Sequence, residues 1–184
     1  PPPDAVHAKQ GRLAVKQLVP EDGFGAAPFF PLLPTDDPNP AWSAIGAPSI
    51  LKTSRLGYDG KGQAQVASLD ELTSAFREFG GTPCILEERV DLVLEISVVL
   101  ARGTDGHIVT FPVAENQHRS GILDVSIVPA RITPELAHRA REMAASVARA
   151  MHYVGVMAVE FFVVTGGRLL INEMAHRPHN SVHY

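Results

Sequence analysis

Two glutamates near the end of the chain are placed to do metal chemistry. "GVMAVEFFVV" and "RLLINEMA" are alternating apolar runs on either side of Gly166-Gly167. A double glycine between strands suits a type I′ turn, which needs positive φ at both central positions. With the turn there, Thr165 pairs with Arg168, Phe162 with Ile171, and Glu160 with Glu173. The two carboxylates then face each other with Cβ atoms about 4.5–5.5 Å apart, and like charges so opposed destabilise a sheet. On a partly buried face they are tolerated when one is protonated or a cation lies between them. Mg²⁺ suits such a pair, taking carboxylate oxygens at about 2.0–2.1 Å and completing its shell with water and substrate phosphates. Asn172 alternates to the opposite face unless the strand bends, which makes it the weaker third donor. The alternative is a wet face on which Arg168, Arg177 or a lysine pairs each carboxylate.

Far upstream, "LKTSRLGYDGKGQ" at residues 51–63 places Gly57, Gly60 and Gly62 between two short apolar runs. Unshielded backbone amides of this kind cradle phosphates. A phosphate cradle and a carboxylate pair for Mg²⁺ are the two halves of a nucleotide site. The loop matches neither G-x-x-x-x-G-K-[ST] nor G-x-G-x-x-G. It joins two strands, so a hairpin tip would cover the phosphates. Lys52, on the strand entering the loop, could reach an α- or β-phosphate as a compact point charge. Glu87 and Glu88 lie in or just after the strand "PCILEERV", and Glu95 sits among apolar residues, where a carboxylate wants a partner such as ribose hydroxyls. The eight histidines show no zinc-ligand spacing. Ser49, Ser54 and Ser97 lack a nucleophile-elbow context. Cys84 is the only cysteine, which rules out an intrachain disulfide and a thiolate cluster.

The elements that must position these residues follow from periodicity. A short helix is expected at 9–19, then a proline-punctuated stretch from 20 to 48 with at most one short helix around Trp42. "PSILKTS" and "QAQVA" read as strands flanking the glycine loop. Ser68 and Glu71 form a capping box for a helix that carries Leu69, Leu72, Phe76 and Phe79 and stops at Gly80-Gly81. "LVLEISVVLARG" alternates, with Leu92, Leu94, Ile96, Val98 and Leu100 on one face and Glu95 and Ser97 on the other. Thr104-Asp105-Gly106 turns it into the hairpin partner "HIVTFPVAEN", and "GILDVSIVPA" is a further strand. Thr133 caps and Pro134 opens a helix to about 151, buried along Leu136, Ala140, Met143, Val147 and Met151. The sum is an α+β chain dominated by antiparallel strands.

A net charge of −4 over 184 residues argues against a nucleic-acid partner. No apolar run reaches the roughly 18 residues of a membrane span, and "PPPDAVHAKQ" lacks the apolar centre of a signal peptide. A cytoplasmic protein with no membrane partner is expected. The opening prolines and the ending "PHNSVHY" suggest a segment of a longer protein.

Together, "ILKTSRLGYDGKGQ", "ILEERVDLVLEISVVLARGTDG", "ENQHRSGIL", "YVGVMAVEFFV" and "LLINEMAHRPHNSVHY" resemble the ATP-grasp superfamily, and within it the 5-(carboxyamino)imidazole ribonucleotide synthases. "GYDGKGQ" and "RPHNS" are specific to that enzyme, whereas "EFF" followed by "NE" is shared across ATP-grasp ligases. The resemblance implies an ATP-grasp fold of two α+β subdomains without the family's N-terminal nucleotide-fold domain and C-terminal domain. Residues 1–47 would be a partial linker and helix, 48–90 the small subdomain with its lid, and 91–184 a truncated central catalytic subdomain. The implied reaction is ATP- and bicarbonate-dependent carboxylation of 5-aminoimidazole ribonucleotide by way of carboxyphosphate. It uses ATP with Mg²⁺ (or Mn²⁺), and a homodimer is implied for the full-length protein.

By the same resemblance Lys52 is the nucleotide lysine and, with Arg177, a catalytic residue. Gly57, Tyr58, Asp59, Gly60, Lys61, Gly62 and Gln63 match the phosphate-covering loop. Glu87, Glu88, Arg89 and Val90 match the adenine-contacting stretch, Glu95 the ribose carboxylate, and His118 a nucleotide-site histidine. Glu160 and Glu173, with Asn172, match the magnesium ligands. Tyr58, Asp59, Arg177, His179, Asn180 and Ser181 would approach the imidazole ribonucleotide. The family's A-P-R-P-H-N-S-G-H is altered at His176 and Val182, which bears on substrate geometry more than on the nucleotide. Two other expectations stand beside this one. "RPHNS" argues against another ATP-grasp ligase or transformylase, while His176 and Val182 suit a non-catalytic ATP-binding remnant.

Overall fold

The computed structural model describes residues 25–54, 62–119 and 122–175. The helix expected at 9–19, the loop through Lys61, and the segment from His176 lie outside the described residues. Those described fall into two compact units. One is Ala27–Val90; the other carries the residues from Asp91 onward, with Gly25 and Ala26.

The smaller unit is a four-stranded antiparallel sheet under two helices. Its strands are β1 (Phe29–Leu32), β2 (Ser49–Thr53), β3 (Gln63–Val66) and β4 (Cys84–Glu88), in the order β1-β4-β2-β3. Helix α1 (Pro38–Ile45) surrounds Trp42; Asp37 caps it by accepting the Asn39 N–H. Helix α2 (Leu69–Glu78) starts at the expected capping box, where Ser68 Oγ accepts from the Glu71 N–H at 3.2 Å. The return bond reaches one residue further back than expected, from the Ala67 N–H to Glu71 Oε2 at 2.7 Å. Strand β1, within the stretch read as linker, gave no signal because Pro31 interrupts it. An edge strand tolerates a proline, since its outward amide pairs with nothing in the sheet.

Strand alternation sorts this sheet's residues by face. Leu32, Leu51, Val66, Cys84 and Leu86 pack with Ala41, Leu72 and Ala75 of the helices. The residues between them, including Ile50, Lys52, Ile85 and Glu87, go to the other face. Burial pushes the Cys84 thiol up to about 11, so the one cysteine is an inert core group.

The larger unit is a six-stranded antiparallel sheet. It comprises β5 (Leu92–Arg102), β6 (Ile108–Thr110), β7 (Ala114–Arg119), β8 (Ile122–Ile127), β9 (Gly155–Val164) and β10 (Arg168–Ala175). The order is β10-β9-β5-β7-β8, with β6 also on β5. The single expected strand "HIVTFPVAEN" is two strands, β6 and β7, broken around Pro112, and both pair with β5. Helix α3 (Pro134–Ala150), capped by Thr133, packs Ala140, Met143, Ala144 and Val147 against Ile96, Val98, Leu100, Met157, Val159, Phe161 and Val163. Leu92 leaves the expected buried row and is 47% exposed, because the β5–β9 ladder shifts between Leu92 and Leu94. Among the described residues no helix is long and apolar enough to cross a membrane.

The β9–β10 hairpin corrects one expectation. Arg168 pairs with Val164, not Thr165, and Ile171 with Phe161, not Phe162. The turn therefore has three residues, Thr165 to Gly167, closed by a bond from the Gly167 N–H to the Val164 carbonyl at 3.0 Å. Both glycines do have positive φ, 84° and 72°. Between Ile171 and Glu173 the ladder shifts again at a β-bulge, and Glu173 pairs with Glu160 after all. The longer turn and the extra residue cancel.

Candidate active site

The bulge decides which way the acidic side chains face. Leu169, Ile171 and Met174 of β10 all join the core under α3. Strict alternation from Leu169 and Ile171 would carry residue 173 into that core. The extra residue at 172 lets Met174 take the core position and puts Asn172 and Glu173 together on the opposite face. On β9 the core residues are 157, 159, 161 and 163, so Glu160 is on that same opposite face. Glu160, Asn172 and Glu173 thus share one surface, and each is half-buried.

The row extends across the sheet. Ser97 of β5 pairs with Glu160, and Ala114 of β7 with Ser97. The next row runs through Asn116, Glu95, Phe162 and Leu170. Glu95 Oε2 lies 3.2 Å from His118 Nδ1, so the carboxylate and the histidine assigned separately to a nucleotide are in contact. Ser97, 1% exposed, and Asn116, 5% exposed, are members of this surface that sequence reasoning did not single out. Alternation already placed Ser97 beside Glu95, but its pairing with Glu160 needed the β5–β9 register.

Glu160, Asn172 and Glu173 offer oxygen donors only, the kind of set that Mg²⁺ or Mn²⁺ takes. Among the described residues no cluster of three or more His, Cys, Asp or Glu could hold a metal. Mg²⁺ characteristically takes one or two carboxylates and draws the rest of its shell from water and phosphates. The residues present fit that ion.

Glu115, next to Asn116, faces the other way, since it pairs with the core residue Ile96. It is 6% exposed. Arg131 holds it with Nε at 3.1 Å, the backbone N–H at 3.2 Å and a further contact from Nη2 to Oε1. These donors draw the Glu115 carboxyl down to about 2. The pair ties the segment before α3 to β7. No sequence signal links residues 115 and 131, which meet only through an irregular connection.

In the smaller unit, Lys52 Nζ is 2.8 Å from Glu87 Oε2, and both side chains are buried. Glu88 points to the opposite face and is exposed, as is Arg89, whose side chain lines a shallow cleft with Ser49 and Glu71. The Glu88 N–H donates to Pro28 O and the Arg89 N–H to Pro48 O, both at 2.9 Å. Val90 is half-buried at the end of the stretch. Gly62 has φ +70°, and a Cβ there would stand 2.6 Å from Thr53 Oγ1. Its carbonyl accepts the Thr53 N–H at 2.8 Å, and Gln63 pairs with Lys52. Gly57, Tyr58, Asp59, Gly60 and Lys61, like Arg177, His179, Asn180 and Ser181, lie outside the described residues.

The chain is 44% identical over 186 residues to the N5-carboxyaminoimidazole ribonucleotide synthase of Brucella melitensis, covering 100% of this chain and 51% of that protein. It is 39% identical to the Bacillus subtilis synthase over 175 residues, covering 95% and 46%. A solved N5-carboxyaminoimidazole synthetase from Staphylococcus aureus, complexed with ADP, superposes with a TM-score of 0.88 at 34% identity, covering 97% of this chain and 48% of that one. The chain spans about half the length of the curated relatives it matches. The ATP-grasp domain family matches residues 17–184, and with that match over nearly its whole length the chain belongs to the ATP-grasp family.

Proposed function

We propose that this chain is the nucleotide-binding and phosphoryl-transfer part of an N5-carboxyaminoimidazole ribonucleotide synthase, a cytoplasmic enzyme of purine biosynthesis. The single observation that carries the reading is the pairing of Glu160 with Glu173 beside the Asn172 bulge, on the sheet face that also bears Glu95 and His118. In the reaction, the γ-phosphoryl group of ATP passes to a bicarbonate oxygen, giving ADP and carboxyphosphate. The exocyclic amine of 5-aminoimidazole ribonucleotide then takes the carboxyl carbon, directly or as released CO₂, and phosphate leaves.

Phosphoryl transfer asks for positioning and charge neutralisation more than covalent chemistry. Glu160, Glu173 and Asn172 would hold Mg²⁺, which neutralises phosphate charge when bound. Lys52 supplies a second positive charge for the phosphates. Glu95, oriented by His118, accepts from ribose hydroxyls. Glu87 to Val90 border the adenine. The Glu88 and Arg89 amides are already used, so a base edge would meet other backbone groups of this stretch. Gly57 to Gln63 cover the phosphates and keep water from carboxyphosphate. Arg177, His179, Asn180 and Ser181, with Tyr58 and Asp59, recognise the imidazole ribonucleotide.

The test is thermal shift with Mg-ATP, followed by phosphate release with and without aminoimidazole ribonucleotide and bicarbonate. Release that depends on both co-substrates supports the reading. ATP stabilisation without such release marks a binding remnant, a reading favoured by His176 and Val182. Release driven by another acceptor marks a different ligase. In a full-length protein carrying this segment, Glu173→Gln should abolish Mg-ATP turnover while leaving the fold intact; unchanged turnover would contradict the metal role.

A further inference from the structure

Asn116 belongs to the site face but carries none of the roles assigned above. It lies in the row Ser126, Asn116, Glu95 and Phe162, which crosses β8, β7, β5 and β9. Directly opposed residues on one face have Cβ atoms about 4.5–5.5 Å apart. Its side chain therefore stands beside that of Glu95, whose carboxylate meets His118 at 3.2 Å. Asn116 is 5% exposed, and a buried carboxamide needs partners for both of its ends. Ser126 Oγ donates to Asn116 Oδ1 at 3.2 Å. Fixing the oxygen on the β8 side turns Nδ2 the other way, toward the strand that carries Glu95. Among the described residues Nδ2 has no hydrogen-bond partner, and it is not sealed from the surface. A neutral donor is thus held next to a carboxylate. A hydroxyl group is the ligand that suits both, since it has one proton to give and two lone pairs to receive.

We propose that Asn116 is a specificity-determining residue that donates from Nδ2 to a ribose hydroxyl, with Ser126 as the positioning residue that sets the carboxamide's orientation. The inference rests on the nucleotide reading above and deepens it. It gives the site a means to prefer ribose over deoxyribose, because a nucleotide lacking the hydroxyl leaves a buried donor unpaired.

The test is calorimetry on the 184-residue chain with Mg-ATP and its 2′-deoxy and 3′-deoxy analogues, with thermal midpoints recorded for each variant. The parent should bind at least one deoxy analogue about tenfold more weakly than ATP, the worth of one such hydrogen bond. Asn116→Leu keeps the approximate shape and removes the donor. It should weaken ATP about tenfold and leave that analogue within about twofold, so that the preference disappears. Ser126→Ala frees the carboxamide to turn and should cut the preference about threefold, and Ser126→Thr, which retains the hydroxyl, should restore it. A merely structural Asn116 would weaken all three nucleotides alike. That result, or a parent that binds both analogues as tightly as ATP, overturns the role of Asn116 and leaves the nucleotide site standing. An unchanged preference in Ser126→Ala overturns it as well, and that variant decides alone should Asn116→Leu not fold. If the parent binds no Mg-ATP, the nucleotide reading itself fails, and this inference with it.

Discussion

The two units solve the same problem with opposite electrostatics. Among the described residues each is an antiparallel sheet, covered on one face by two helices in the smaller unit and by α3 in the larger, with a pair of charged residues on the other face. In the Ala27–Val90 unit the charges are of opposite sign and meet at 2.8 Å, Lys52 with Glu87. In the unit from Asp91 onward, the sheet register sets two carboxylates side by side, and a bulge adds a carboxamide. A buried opposite-sign pair stabilises whichever strands carry it. Directly opposed like charges weaken a sheet in general, and a cation between them offsets that. The first arrangement joins neighbouring strands of its sheet, and the second gathers oxygen-bearing side chains on one face of its sheet.

That contrast is sharpest in stability. Lys52→Met leaves the Glu87 carboxylate buried without its ammonium and should destabilise the protein on the order of 3 kcal/mol in urea unfolding. Lys52→Met/Glu87→Leu should recover most of that loss, since apolar residues of similar volume often replace a buried ion pair at little cost. If the single variant is as stable as the parent, the pair does not hold the small unit together.

Removing Asn172 tests the other unit. Without the extra residue, Ile171 and Met174 still reach the core, and Glu173 still opposes Glu160 with ordinary alternation. The thermal midpoint should therefore stay the same or rise. The affinity for Mg-ATP should fall about tenfold, or about 1.4 kcal/mol, through loss of the carboxamide and of the local bend. A drop in midpoint with unchanged affinity would make the bulge a packing device.

The smallest effect concerns a pair that belongs to neither pattern. Glu115 is held by Arg131 with its carboxyl drawn down to about 2. A carboxyl whose folded value is lowered contributes stability above its ordinary value, near 4.5, and loses it as pH falls toward 2. Glu115→Gln should thus lower the thermal midpoint at pH 7, and the gap to the parent should narrow steadily between pH 4.5 and 2. A gap that stays constant over that range would show that Arg131 does not set the carboxyl's behaviour.

How far the sequence could be read depends on how local each signal is. The Ser68 cap, the cap at Thr133 and the alternation of β5 from Leu94 onward involve residues within a few positions of one another, and all are present. The glutamate pairing was reached through a register that is off by one residue up to Ile171, and it holds because the bulge restores the count. Nothing in "LLINEMA" announces an inserted residue, because Asn172 is as compatible with regular alternation as with a bulge. The bond between Lys52 and Glu87 was hidden for a different reason. It spans 35 positions and exists only once β2 and β4 are known to be neighbours. Arg131 reaches Glu115 through a connection with no periodicity at all.

The bond between Thr53 and Gly62 has a consequence for chain continuity. Residues 54 and 62 are joined through seven positions of sequence, yet the ends of that span are already fixed by the β2–β3 ladder. The entropy of bringing them together is met by the sheet and is independent of what the span itself contacts. A single proteolytic cut within it would leave two fragments that the four-stranded sheet still holds side by side.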